Sequence, residues 1–176
     1  MILTYGLSPQ VFQQLEDLAK NYEEELKAIS PEEALYTAGH LAGLKDADHR
    51  KFHKEDYPED MEFLLFCQTS RDSLYGFLKE AAKAGLNFPH KAMLTETTKN
   101  WPFSYLLGHI AQEHQMVQAY NQLGQKLKPY LHIEDKDLQD LIQEIKDLPK
   151  ASEDLDLADV KAMEEKFNQL IKDKNL

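Results

Sequence analysis

Residues 101–124 read WPFSYLLGHIAQEHQMVQAYNQLG. At 3.6 residues per turn, Phe103, Leu106, Leu107, Ile110, Val117 and Tyr120 form one apolar stripe, which Leu127 continues. Ser104, Gln112, Gln115, Gln118, Gln122 and Lys126 take the opposite face. The pattern predicts an amphipathic helix with a dry inner side. His109 and Glu113 fall within that stripe, one turn apart, and His114 lies toward its edge. At about 100° per residue, Glu113 is within roughly 30° of the stripe's centre. A buried carboxylate costs several kcal/mol unless it is neutralised, paired or bound to a cation. The helix is therefore expected to hold polar groups inside for a reason.

Working outward, the other apolar positions also repeat with helical spacing. Ser8-Pro9 is an N-cap followed by proline at the first helical position, and predicts a first helix over residues 9–28. Ser30-Pro31-Glu32-Glu33 has the form of a capping box and opens a second helix, ending near Lys54, that carries His40, His49 and His53. Pro58-Glu59-Asp60 opens a third, lined by Met61, Leu64, Leu65, Cys67, Leu74, Phe77, Leu78 and Ala81 and closed at Gly85. A connection over residues 86–100 leads to the helix described above, which runs from Pro102 to Leu127. A fifth helix through Leu138 and Ile145 ends at Pro149, and a sixth starts near Ser152 or Asp156. There is no sustained β-branched alternation and no Asn-Gly or Asp-Gly turn. The class expected is all-α: a four-helix bundle over about residues 8–127 with a helical extension over 130–176, together one domain of 176 residues.

Composition narrows the function. Lys and Arg number 20 against 31 Asp and Glu, a net charge of −11, with no basic stripe to release counterions, so nucleic acid is not an expected partner. No apolar run approaches the ~20 residues of a membrane span, and no secretory leader is expected from the first residues. The lone cysteine, Cys67, permits neither an internal disulfide nor a multi-cysteine metal site, and a cytoplasmic location is expected.

Two residue groups bear on chemistry. His109-x-x-x-Glu113 places an imidazole and a carboxylate on one helix face within reach of a single divalent ion. His40 is the best third ligand, because Tyr36-x-x-Gly39-His40-Leu41-Ala42 echoes Tyr105-x-x-Gly108-His109-Ile110-Ala111. Such a set suits Zn²⁺, Ni²⁺, Fe²⁺ or Mn²⁺. The alternative is a structural His–Glu pair without metal. His49-x-x-x-His53 sits among charged residues near a helix end, where histidine complements the dipole. Trp101 and Tyr105 are read as packing residues, with a pocket mouth as the other option.

The segment LYTAGHLAGLKDADHRKF, a long third helix and then LLGHIAQEHQMVQAYNQLG together resemble the DinB/YfiT-like superfamily of bacterial four-helix bundles. The similarity spans roughly residues 8–127. It implies a divalent metal held by one histidine of the second helix, matched by His40, and two of the fourth, matched by His109 and by Glu113 in place of the second histidine. His114 is one position late and would be a substitute ligand or an acid/base group. The implied activity is metal-dependent hydrolysis or thiol transfer on a small molecule, with no catalytic residue assigned; a homodimer is compatible with it. The competing class is a non-catalytic interaction or regulatory module.

Overall fold

Two stretches expected to be helical, Leu26–Ala28 and Phe63–Phe66, form strands instead, and two more strands lie outside the expected helices. The computed structural model describes residues 1–151 and 155–176. Within them lie strands β1 (Ile2–Tyr5), β2 (Leu26–Ala28), β3 (Phe63–Phe66) and β4 (His90–Met93), and helices α1 (Pro9–Lys20), α2 (Ala38–Leu41), α3 (Arg71–Lys83), α4 (Phe103–Leu127), α5 (Lys136–Ala151) and α6 (Leu157–Lys174). The strands make one mixed sheet in the order β2-β1-β3-β4. β1 runs parallel to β2, β3 runs parallel to β4, and β1 and β3 meet antiparallel at the centre. The expected all-α bundle is therefore corrected to an α/β fold, and with it the DinB-like architecture.

The physical reason is burial on both faces. Leu3, Tyr5, Phe63 and Leu65 pack on one side of the sheet with Phe103, Leu106 and Leu107 of α4. Ile2, Leu64 and Phe66 pack on the other with Leu15 of α1 and Phe77 and Ala81 of α3. A strand covered on both faces carries consecutive apolar residues rather than an alternation, and so cannot be told from part of a helix by periodicity. The first predicted helix is thus divided between α1 and β2, and the third between β3 and α3. The second shrinks to a 3-10 turn over Glu33–Leu35 and the four residues of α2.

The chain forms two compact units, Met1–Ala111 and Gln112–Leu176. The first holds the sheet. The second is helical, and its core is Leu123 and Leu127 of α4, Leu138, Leu141, Ile142 and Ile145 of α5, and Val160 and Phe167 of α6. Here the spacing reads true, since these helices are one-sided and amphipathic. Asp156 caps α6 through a reciprocal box with Asp159. The alternative start at Ser152 lies outside the described residues. Pro149 sits inside α5 rather than ending it. Among the described residues no helix is long and apolar enough to cross a membrane.

Candidate functional site

The first unit is built twice from the same parts. Ser8 caps α1 and Ser70 caps α3, each hydroxyl accepting from a backbone amide three residues on. Two residues before each cap the backbone is left-handed, at Gly6 (φ 70°) and at Gln68 (φ 58°). After the second strand of each half comes a reciprocal hydrogen-bonded box. Ser30 N–H donates to Glu33 Oε2 and Glu33 N–H to Ser30 Oγ, while Thr95 and Thr98 each donate a backbone N–H to the other's hydroxyl. Each box precedes a 3-10 turn and then a helix. The entries to α2 and α4 touch: Thr37 pairs antiparallel with Pro102. Ala38 N–H donates to Trp101 C=O at 3.0 Å, and Phe103 N–H to Tyr36 C=O at 2.9 Å. These reciprocal bonds make Tyr36 equivalent to Trp101 and His40 equivalent to Tyr105. The echo in the sequence is real but one helical turn out of register, since a shift of four residues keeps a helical pattern on the same face.

At each entry three rings gather. Tyr36 lies 5.1 Å from His40, and His40 lies 4.7 Å from His49, centroid to centroid. The Nδ1 atoms of His40 and His49 are 2.6 Å apart, a hydrogen bond in which one ring donates and the other accepts. At the entry to α4, Trp101 lies 5.1 Å from Tyr105 and 5.3 Å from His109, and Tyr105 and His109 stack with an interplanar angle of 18°. Tyr105 is 42% exposed, and His109 is exposed beside it. In the turn before Trp101, Lys99 bonds to Asp46 at 2.5 Å and to Glu96 at 2.7 Å. Asn100 Oδ1 accepts from Asp48 N–H, which ties the loop carrying His49 to the turn before Trp101.

This geometry reassigns the inner face of α4. In the first unit the buried positions of α4 are Phe103, Ser104, Leu106, Leu107, Gly108 and Ala111, while further along the helix Val117 is 42% exposed. The stripe expected from the sequence was rotated by including Val117, and it carried His109 and Glu113 inward with it. In the structure Glu113 is exposed, so the argument from a buried carboxylate does not apply. His40 contacts Tyr36 and His49, and His109 contacts Trp101 and Tyr105. Glu113 and His114 belong to the second unit, where His114 Nε2 pairs with the Gln118 side-chain amide at 2.7 Å. Among the described residues no three His, Cys, Asp or Glu side chains are grouped as a metal ion requires. The metal-binding, metalloenzyme character expected from the resemblance is set aside on this ground. Cys67 is buried, and burial pushes its thiol up to about 12, so at neutral pH it is a packing residue and not a nucleophile.

Trp101, Tyr105 and His109 are an i, i+4, i+8 series in the sequence, but the sequence reading divides them, with Trp101 and Tyr105 as packing and His109 as a ligand. Residues 62–117, which contain β3, α3, β4 and the start of α4, match a family model described as Domain of unknown function (DUF3783). That similarity replaces the DinB-like one, and it covers the half of the first unit that carries the ring ladder. No curated protein and no solved structure matches the chain.

Proposed function

We propose that the chain is a recognition module and that its first unit docks a basic segment of a partner protein on the ladder of Trp101, Tyr105 and His109. The observation that supports this best is the placement of three mutually contacting rings at the start of α4, with Tyr105 and His109 exposed and Trp101 half-buried against them. Exposed aromatic side chains of this kind are typical anchors of protein interfaces. The faces of tryptophan and tyrosine attract guanidinium and ammonium groups, an effect of about 0.5–2 kcal/mol per ring. The net charge of −11 draws the same kind of partner by long-range attraction. A cytoplasmic setting belongs to this reading, since the lone buried thiol suits a reducing compartment.

Trp101 is the only tryptophan, so its emission reports on the ladder directly. Titration with a peptide of alternating Arg and Gly is expected to give a saturable change in that emission which persists at physiological salt. The same peptide with Gln for Arg should give none. Tyr105→Ala should weaken binding roughly fivefold, the equivalent of about 1 kcal/mol. An equal response to both peptides, or binding unchanged in Tyr105→Ala, would overturn the proposal.

A further inference from the structure

The second unit contains a slot of about 310 Å³ between the end of α4 and α5. Its walls are Tyr120, Leu127, Leu131 and Ile145, and Gly124 opens one side. Gly124 is exposed, and a Cβ built on it would enter open space with no atom within 4 Å. Leu131 is 45% exposed at the edge, an apolar surface with no cover of its own. The one polar atom of the Tyr120 wall is already satisfied: its hydroxyl donates to Ile145 C=O at 3.2 Å. What remains of that wall is apolar.

Two cations stand at the slot. Lys128 and Lys146 line it, both are exposed, and neither has an ion-pair or hydrogen-bond partner among the described residues. Elsewhere in the same unit Lys126 is held by Glu164, Lys166 by Glu144, and Lys174 by Asp135 and Asp137. Both lysines border the apolar surface of the slot.

We infer that this slot binds an amphipathic carboxylate, with its hydrocarbon chain against Tyr120, Leu127, Leu131 and Ile145 and its carboxylate taken by Lys128 and Lys146. The site combines a mostly apolar lining with a few placed polar groups, as small-molecule sites do. It is independent of the ring ladder on the first unit.

Octanoate is the probe, followed by calorimetry and by the methyl resonances of Leu127 and Leu131. Saturable one-site binding is expected, with octanol and octylamine at least tenfold weaker. Gly124→Leu adds a side chain at the slot from a helical position and should keep the fold while lowering octanoate affinity at least tenfold. Lys128→Gln with Lys146→Gln, both on the surface, should lower it by a similar factor and does not depend on the behaviour of the glycine variant. Absence of saturable binding, equal binding of octanol, or full affinity in the double lysine variant would each overturn the inference.

Discussion

Residues 1–42 and 62–108 pass through the same elements in the same order and end differently. Both run strand, capped helix, parallel strand, hydrogen-bonded box, 3-10 turn and helix. In the first half the last helix stops after four residues, α2, and the chain turns into the loop that brings His49 onto His40. In the second half it continues for 25 residues as α4, and its own next turn supplies the third ring, His109. The same scaffold thus gathers three rings by two routes, one through a loop and one through helical periodicity. The family match falls on the second half alone. Caps, boxes and turns are shared between the halves, while the side chains that face outward differ.

The largest effect expected from this comparison is at the two left-handed positions. In Gly6→Ala the new Cβ would run into the Met61 carbonyl in an already unfavourable backbone conformation, and the variant should lose about 3 kcal/mol. The equivalent change in the other half has the opposite sign. Gln68 holds φ 58° with a side chain, so Gln68→Gly should stabilise by about 0.5–1 kcal/mol. Urea unfolding of both variants measures the pair; a loss of stability in both would break the equivalence.

A second test concerns the buried weak acids that directly precede those positions, Tyr5 and Cys67. Burial, above all, raises both above their ordinary ranges, Cys67 to about 12. Between its unfolded value of about 8.5 and its folded value, the native state keeps the thiol proton that the unfolded chain gives up. Stability from this group is therefore complete below about pH 8.5 and falls as pH rises, by at most about 1.4 kcal/mol per unit. The Tyr5 contribution begins to fall only from about pH 10. Unfolding curves at pH 8 and pH 9.5 should differ in the wild type and differ less in Cys67→Ala.

A third test is at the caps. Ser8→Ala and Ser70→Ala each remove one side-chain acceptor from a helix N-terminus and should each cost about 1 kcal/mol. Equal losses would support the equivalence of the halves. A much larger loss at one of them would show that its loop does more than cap a helix.

The local signals were legible in the chain itself. Ser8-Pro9, the Ser30–Glu33 box, the Asp156 cap and the amphipathic spacing of α5 and α6 depend on residues a few positions apart, and each is present in the structure. The echo of Tyr36–Ala42 in the fourth helix was also visible there, though one turn out of register. The sheet was not. Ile2-Leu3-Thr4-Tyr5 and Phe63-Leu64-Leu65-Phe66 are strands because each supplies the central partner of the other, far away in sequence, and both faces are covered by helices. Nothing local separates such a run from a buried helical turn, since pairing and two-sided burial are properties of the assembled chain. The same holds for His109 and Glu113: composition placed them on a helix, and only packing against Phe63 and Tyr5 through Phe103 determined which side of that helix meets the core.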